Sequence, residues 1–149
     1  MGELKEIQQI VIKKPVVQLF EGNEGVKSIL FDIILKKKQT DVISPSKVFD
    51  VLIYSFPNYI LQRKEAGIFA RVIQEQCKHT VELKKKDKSE LRITRALAGL
   101  DLNSMTFIYG DNIAIIKLVN KGLMGVLIRD KMLADDQRGI FEILWSQAK

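Results

Sequence analysis

Residues 20–26, Phe-Glu-Gly-Asn-Glu-Gly-Val, decide the fold because they join a strand to an amphipathic helix. Before them, residues 16–20 form a short run rich in apolar, β-branched and aromatic side chains, which predicts a strand. After them, apolar residues recur at helical spacing and predict a helix over residues 23–37. The two glycines allow a tight turn between strand and helix, and Asn23 is the expected N-cap. In α/β proteins, ligands commonly bind at such a turn.

The composition predicts one domain without a membrane span. The 149 residues suffice for a single core, and the net charge of +6 permits an acidic partner without requiring one. The excess lysines cluster at residues 13–14, 36–38 and 84–86, and such clusters are usually solvated surface. No apolar run approaches the roughly 18 residues of a membrane span, and no signal-peptide pattern is found. The single cysteine, Cys77, excludes an internal disulfide, so we expect a cytoplasmic protein with no membrane partner.

The first residues predict a helix over 3–14 that ends at Pro15. One face of this helix is apolar and carries Leu4, Ile7, Ile10 and Val11. Because the helix precedes the first strand, we expect this face to pack against a second subunit or a preceding domain. The sequence therefore divides into a linker and dimerisation helix, residues 1–14, and one α/β domain, residues 15–149.

The rest of the sequence alternates strand and helix patterns and then changes to a hairpin. Strands are predicted at residues 41–44, 68–73, 91–97, 106–109, 112–118 and 123–128, and helices after Ser46, from Pro57 to Ala66, and after Asp130. Residues 78–90 are polar, and their helical content stays open. The last helix is expected to bury Leu133, Gln137, Ile140, Phe141 and Leu144. This order predicts an α/β fold with a mixed sheet flanked by helices.

Three segments together carry a family resemblance. They are residues 20–26, residues 109–116 (Tyr-Gly-Asp-Asn-Ile-Ala-Ile-Ile) and residues 134–141 (Ala-Asp-Asp-Gln-Arg-Gly-Ile-Phe) with Trp145. In order and spacing they are similar to the C-terminal domain of TrmB-like transcriptional regulators, from about Leu4 to the end of the sequence.

The resemblance implies a phospholipase D-like fold that senses an effector, a sugar or sugar phosphate, and that forms a homodimer through the linker helix. It implies no cofactor. In the family, an N-terminal winged-helix domain binds DNA, and this sequence lacks it, so DNA is an expected partner only through that missing domain. We therefore predict the ligand-sensing and dimerisation domain of a TrmB-like regulator.

The sequence lacks the catalytic signature of phospholipase D enzymes. Those enzymes use His-x-Lys with a downstream aspartate, and the histidine attacks phosphorus. The single histidine, His79, is followed by Thr80 and Val81, so no lysine stands at the third position. Cys77 and His79 lack further ligands for a metal and an orienting group for nucleophilic catalysis. We predict no enzymatic activity, no catalytic residues and no metal site.

The candidate ligand-binding residues lie at predicted strand ends, within the strand predicted at residues 68–73, and on the last helix. They are Glu21, Ser44, Ser46, Gln74, Arg71 and Gln137. The first four follow from the rule that α/β sheets bind ligands at the carboxyl ends of parallel strands. Arg71, with Arg95, suits an anion such as a sugar phosphate, and Gln137 on an apolar helix face needs a hydrogen-bond partner. Helix capping, surface ion pairing and bonds to backbone carbonyls are the structural alternatives.

Other function classes stay open beside the sensor. One is a domain that has lost its effector site and serves only as a dimerisation scaffold. Another is nucleic-acid binding through the lysine clusters, although the sequence lacks the interleaved aromatics of single-strand binders and a visible recognition helix. A small enzyme on a similar fold needs a nucleophile and base that the sequence does not offer.

Overall fold

The computed structural model describes residues 14–120 and 122–149, which build a seven-stranded mixed sheet with helices on both faces. The strands are β1 (Val16–Glu21), β2 (Thr40–Ser44), β3 (Ala70–Glu75), β4 (Arg92–Leu97), β5 (Ser104–Tyr109), β6 (Asn112–Val119) and β7 (Gly122–Arg129). The helices are α1 (Gly22–Lys36), α2 (Ser46–Ser55), α3 (Tyr59–Glu65), α4 (Thr80–Lys86) and α5 (Lys131–Gln147). The predicted α/β fold with a mixed, helix-flanked sheet is confirmed.

The sheet has the strand order β1-β7-β6-β5-β2-β3-β4. β2, β3 and β4 pair in parallel, whereas β1, β7, β6, β5 and β2 pair antiparallel. The predicted hairpin joins β5 to β6, with Tyr109 opposite Asn112 across the turn. β1 and β2 therefore run in the same direction, but three strands separate them.

The two faces of the sheet are covered unequally. Helices α1 to α4 lie on one face, where Ile29 of α1 packs in one apolar cluster with Phe107 of β5. Of the helices within residues 14–120 and 122–149, α5 alone covers the other face, where Phe141 packs with Ile73 and Ile108. Ile29, Phe107 and Phe141 are at most 2% exposed, and full burial of such a side chain contributes about 1.5–3 kcal/mol.

The turn between β1 and α1 differs in detail from the predicted one. Asn23 is not the N-cap: Glu21 occupies that position without a side-chain cap bond, and Gly22 has a φ of +70°. A left-handed residue at the turn moves the helix start back towards the strand. Gly25 has a separate role, because a Cβ there would lie 2.8 Å from the carbonyl carbon of Phe20. The second glycine thus allows α1 to pack directly against the end of β1.

The buried face of α5 agrees with the predicted one at Phe141, which is fully buried, and at Leu144, which is partly buried, but it differs elsewhere. Its buried residues are Ala134, Phe141 and Trp145, whereas Leu133 is 39% and Ile140 is 50% exposed. The small Ala134 lets the helix approach the sheet, so the stripe spaced 134, 141 and 145 faces the core rather than the neighbouring one. The predicted cap is confirmed, since the Asp130 carboxylate accepts from the Leu133 N–H at 2.9 Å.

Two further predictions concern the ends of the sheet and the chain. Within the polar stretch 78–90, residues 80–86 form α4, and the predicted edge strand is β4. The predicted helix 3–14, with its face of Leu4, Ile7, Ile10 and Val11, lies outside the described residues except for Lys14. The division at residue 14 stays a prediction.

In the parts of the chain that the structure describes, no helix has the length and apolar character needed to cross a membrane.

Candidate ligand-binding site

A cavity of about 70 Å³ lies between α2, α3 and the helix-rich face of the sheet. Its walls are mostly aliphatic and aromatic, with Val42 and Phe107 on the sheet side and Phe49, Leu52 and Phe56 on the helix side. A water needs roughly 10–15 Å³ of such space and a cavity of about 150 Å³ holds benzene, so in this arrangement the cavity has room for several waters or for a molecule smaller than benzene. The walls carry few polar atoms, and those atoms therefore determine what the cavity binds.

Three residues that line the cavity each carry a buried polar atom that has no hydrogen-bond partner. These atoms are Ser44 Oγ, the Tyr59 hydroxyl and Gln74 Oε1, and they are the whole set of buried, unpartnered side-chain N and O atoms among residues 14–120 and 122–149. Buried polar atoms are almost always bonded, and leaving one unpaired costs about 1–3 kcal/mol. That all three residues line one cavity indicates a place built for a polar partner.

Ser44 and Gln74 come from adjacent parallel strands. They are opposite each other in the β2–β3 register, at the carboxyl ends of both strands, and each is 0% exposed. The Gln74 amide is oriented by Cys77, whose sulfur accepts from Nε2 at 3.7 Å. The bond fixes the nitrogen on the side of Cys77, and Oε1 is left as a free acceptor.

Tyr59 begins α3 just after Pro57 and closes one end of the cavity. Its ring packs edge-on against Phe107, with centroids 6.3 Å apart and an interplanar angle of 88°. Burial raises the pKa of Tyr59 well above its ordinary value, so the phenol stays protonated in the physiological range. Its O–H is therefore a permanent donor without an acceptor.

Two buried arginines also line the cavity, and their charges are balanced differently. Arg92 is paired with Asp87 at 2.9 Å and with Glu90 at 2.8 Å. Arg63, only 3% exposed, instead donates to the backbone carbonyls of Ile68, Leu91 and Glu90 at 2.5, 3.0 and 2.6 Å. Burial lowers the pKa of Arg63, yet a guanidinium remains charged in proteins.

The lining thus combines two guanidinium groups with no carboxylate. Within the described ranges, Arg63 has no salt-bridge partner. Backbone carbonyl dipoles stabilise its charge only in part, because a buried ion is stabilised fully by an opposite charge. Asp87 and Glu90, which do not line the cavity, place two negative charges beside the two guanidinium groups, so this side of the cavity is charged but has no net positive excess.

Ser44 and Gln74 are the two predicted site residues that the structure brings together. Ser46 lies nearby at the start of α2, where its hydroxyl donates to the Glu75 carboxylate. Glu21 ends β1, whose carboxyl end points the same way as that of β2. Four strand spacings nevertheless separate Glu21 from Ser44, a distance of about 19 Å. Neither Ser46 nor Glu21 lines the cavity.

Arg71 and Gln137 belong to the other face of the sheet. Arg71 donates to both carboxylate oxygens of Asp41, at 2.9 and 3.0 Å, and to Glu142 of α5 at 2.5 Å. Its guanidinium also lies 4.9 Å from the centre of the Phe141 ring, a cation–π distance. Gln137 is half-buried on α5. Both are therefore separated from the cavity by the sheet.

Tyr59 and Arg63 are functional candidates that the sequence analysis missed. They are spaced four residues apart and so share one face of α3. That spacing, which begins two residues after Pro57, was a signal that could have drawn attention to them. The helix has only seven residues, however, and its orientation depends on tertiary contacts.

The Cys77–His79 pair shows no catalytic arrangement. His79 Nε2 lies 2.5 Å from an Asp50 oxygen, and its ring packs edge-on against Phe49 at 5.3 Å. Val81, the position of the missing lysine, is 58% exposed on α4. Across residues 14–120 and 122–149 there is no group of three or more His, Cys, Asp or Glu side chains that could hold a metal ion.

A second, more open depression borders the cavity. This groove, about 700 Å³, runs between α1 and α3 and is lined by polar residues such as Asn23, Lys27 and Gln62. Phe56 and Tyr59 line both the groove and the cavity. These two residues therefore lie where the cavity and the groove meet.

Solved structures with the same fold come from two bacterial proteins. Nuc of Salmonella typhimurium, a phospholipase D family member, has a TM-score of 0.64 and 12% identity over 91% of this chain and 97% of its own. NucT of Helicobacter pylori has a TM-score of 0.63 and 12% identity over 91% of this chain and 98% of its own. The chain has a phospholipase D-like fold. No protein-family model matches the chain, and no curated protein sequence does.

A third solved structure that is similar to this chain is that of an archaeal chromatin protein. TrmBL2, described as having a novel mode of DNA binding, matches 99% of this chain with a TM-score of 0.61 and 13% identity. The chain spans 59% of the length of TrmBL2. At such low identities the likeness establishes the fold, and the function must be argued from the site.

Proposed function

We propose that the chain is the ligand-sensing and dimerisation domain of a TrmB-like transcriptional regulator, and that it has no catalytic activity. The observation that carries the proposal is the coincidence of Ser44 Oγ, the Tyr59 hydroxyl and Gln74 Oε1, all unpartnered, on residues that line one cavity. An effector that forms hydrogen bonds with these atoms removes the free-energy penalty of leaving them unpaired in the folded state. DNA binding belongs, in this proposal, to a winged-helix domain outside the given sequence.

The site suits binding better than chemistry. Ser44 is the one hydroxyl of the cavity that resembles a nucleophile, but it has no hydrogen bond to a base. A serine without an adjacent base is a weak nucleophile. The single histidine is bonded to Asp50 instead.

The proposed signal is a shift between two arrangements of a homodimer. The effector favours the arrangement in which α3 closes over the cavity, and binding can shift the equilibrium only by its differential affinity. Residues 1–14, with Leu4, Ile7, Ile10 and Val11, would carry the dimer contact and pass the change to the DNA-binding partner domain.

A thermal-shift screen of the whole chain tests the sensor. The panel contains sugars, sugar phosphates, nucleotides and small organic acids, and a true effector raises the melting temperature in proportion to the logarithm of its concentration. Gln74→Met should abolish the shift, whereas Gln137→Met, a matched change on the other face, should retain it. A shift that survives Gln74→Met would contradict this site.

Light scattering tests the dimer separately. We expect the mass of two chains, and Ile7→Glu should halve it because a charge on an apolar seam is unfavourable. A monomer in every condition would overturn the dimerisation proposal. A dimer with no response to any effector would support the alternative, an effector-less scaffold.

A further inference from the structure

The two edges of the seven-stranded sheet differ in whether their backbone groups are bonded. On the outer side of β4, the N–H groups of Arg92 and Thr94 donate to Asp87, at 2.9 and 2.7 Å. Ala96 exchanges two backbone hydrogen bonds of 2.9 Å with Lys149. Within the described part of the chain, β1 pairs with β7 and has no other hydrogen bond. The β4 edge is therefore closed, whereas the β1 edge is open.

An open edge strand is a template for pairing with another strand, and native sheets usually protect it. The protection is commonly a charge, a proline or a bulge within the strand. β1 has none of these from Val16 to Phe20, and its register with β7 continues over six residue pairs. Three of its apolar side chains are also largely exposed, Val16 at 51%, Val17 at 63% and Leu19 at 59%. β1 therefore has the features of a strand that pairs with a partner.

The order of side chains along β1 suits a second copy of the same strand. Residues 16–20 read Val-Val-Gln-Leu-Phe, so apolar residues are arranged symmetrically about Gln18. In an antiparallel pair centred on Gln18, Val17 of one copy is opposite Leu19 of the other. Val16 is then opposite Phe20, and such apolar cross-strand pairs stabilise a sheet. The two Gln18 amides face each other, and each offers both a donor and an acceptor.

Neighbouring registers match less well. A two-fold axis through the sheet keeps every side chain on its own face, so the centre of the pair must lie on a residue. A centre at Val17 would place Gln18 opposite Val16. A centre at Leu19 would place Val17 opposite Glu21. The centre at Gln18 therefore gives apolar pairs on both faces of the joined sheet.

The charges at the ends of β1 favour the antiparallel direction. Lys14 lies just before the strand and Glu21 ends it, and both side chains are exposed. Antiparallel pairing brings the basic end of one copy to the acidic end of the other. Parallel pairing would instead place like charges side by side, which is unfavourable. Charge and side-chain order thus agree on the same arrangement.

We propose that two copies of the chain pair through β1, antiparallel and centred on Gln18, so that their two seven-stranded sheets become one continuous sheet. The inference rests on the homodimer of the proposed function, because β1 directly follows residues 1–14 and both contacts then belong to one two-fold dimer. Since the β4 edge is closed, the assembly ends at two copies.

Disulfide trapping of the whole chain tests the pairing directly. In a Cys77→Ser background, which removes the one native thiol, Gln18→Cys places two thiols opposite each other. Residues directly opposite in an antiparallel pair have Cα atoms about 4.5–5.5 Å apart, which is within the range of a disulfide. With diamide as the oxidant, we expect a covalent dimer on a non-reducing gel.

The matched control lies on the other edge of the sheet. Ile93 of β4 is 47% exposed, and the edge that carries it is closed, so Ile93→Cys in the same background should stay monomeric. Gln18→Cys that is not trapped, or that is trapped no better than Ile93→Cys, would overturn the proposal.

Charge exchange tests the register in solution. Val17 and Leu19 are exposed in the single chain, so Val17→Lys and Leu19→Glu should leave the fold and the melting temperature of the monomer unchanged. Each variant alone should raise the dissociation constant of the dimer about tenfold or more in analytical ultracentrifugation, because a charge replaces an apolar contact. A mixture of the two should restore association, since the new ammonium group then lies opposite the new carboxylate. Unchanged single variants, or no gain on mixing, would overturn the proposal.

The outcomes separate this contact from the one proposed for residues 1–14. A dimer that Ile7→Glu dissociates and that Gln18→Cys does not trap would overturn the pairing of β1 and keep the proposed dimer. A monomer at every concentration, with Gln18→Cys untrapped, would overturn both. The β1 edge would then be left to the chain's own residues 1–13 or to another protein.

Discussion

Two residue pairs on the same two strands differ in whether their polar atoms are bonded. Asp41 and Arg71 are opposite each other in the β2–β3 register, and so are Ser44 and Gln74. The two pairs are three positions apart along each strand, and an odd step places them on opposite faces of the sheet. Arg71 donates to the Asp41 carboxylate and also to Glu142. Ser44 Oγ and Gln74 Oε1, in contrast, have no hydrogen-bond partner.

The difference teaches that buried polarity has two uses in this fold. On the α5 face, Arg71 pairs with carboxylates and lies against the Phe141 ring, and these contacts stabilise the packing of α5 on the sheet. On the other face, polarity without partners accompanies a cavity. A residue type alone does not distinguish these uses, because Arg71 and Gln74 lie three positions apart on one strand.

The largest expected effect comes from breaking the bonded pair. Arg71→Met leaves Asp41, which is 2% exposed, without its charge partner. We expect a loss of about 3–5 kcal/mol in the free energy of unfolding, measured by urea denaturation. The double variant Arg71→Met with Asp41→Leu should recover most of the loss, since it leaves no unpaired buried charge. A loss below about 1 kcal/mol would show that solvent screens the pair.

A bonded cluster on the cavity's own face gives the next largest effect. Asp32 accepts from Tyr109 at 2.8 Å and from Arg129 at 3.1 Å through both carboxylate oxygens. Burial alone would raise the pKa of Asp32, but the hydrogen bonds from Arg129 and Tyr109 hold it below its ordinary value. Asp32→Asn should lower the free energy of unfolding at pH 7 by about 1–3 kcal/mol.

The pH dependence of that loss follows from its sign. A carboxyl with a lowered pKa stabilises the fold above its unfolded pKa of about 3.8, and the contribution disappears as the pH falls through the folded pKa. The original chain and Asp32→Asn should therefore differ at pH 7, and the difference should shrink as the pH falls below about 3.8. A constant difference over that range, in unfolding curves, would contradict the ionic role of Asp32.

Two serines near the cavity should respond with opposite signs. Ser44→Ala removes an unpartnered hydroxyl and should stabilise the ligand-free chain by up to about 1 kcal/mol while weakening the effector. Ser46→Ala removes a hydroxyl bonded to Glu75 and should destabilise the chain by about 1 kcal/mol. Melting temperatures of both variants check the pair. If Ser44→Ala lowered the melting temperature as Ser46→Ala does, Ser44 would be structural.

The smallest effect is expected at Glu142, the exposed second partner of Arg71. The Arg71 hydrogen bond lowers the pKa of Glu142, whose side chain is 52% exposed. Glu142→Gln keeps a hydrogen-bond acceptor, so we expect at most about 1 kcal/mol of destabilisation. Added salt should reduce this difference but leave that of Arg71→Met largely unchanged. Equal salt sensitivity would mean that both ion pairs are solvated.

The sequence predicts the parts of the site that follow from strand direction. Ser44 and Gln74 were found because a polar residue at the end of an apolar strand is visible in the pattern, and parallel pairing brings such ends together. Arg71 shows the limit, since its place three residues before Gln74 does not reveal that it faces α5. Gln137 shows a second limit of the sequence analysis. The helix α5 faces the sheet with Ala134 and Trp145, and not with the face that carries most of its apolar residues.

Tyr59 and Arg63 could not be assigned from the sequence for a physical reason. The helix that carries them has seven residues, which is too short to be stable alone. Its position depends on contacts with Phe107 and with the carbonyls before β4, which are distant in sequence. The charge balance of Arg63 is likewise a property of the assembled cavity.

The missing side chain at Gly25 has a mechanical consequence. Because the first turn of α1 touches the backbone of Phe20, helix and strand meet with no slack between them. The same turn contributes Asn23, Glu24 and Lys27 to the groove beside the cavity. β1 is also the strand that follows residues 1–14. A displacement of the first turn of α1 at the groove would therefore move β1 with it, and β1 is the described strand nearest the start of the chain.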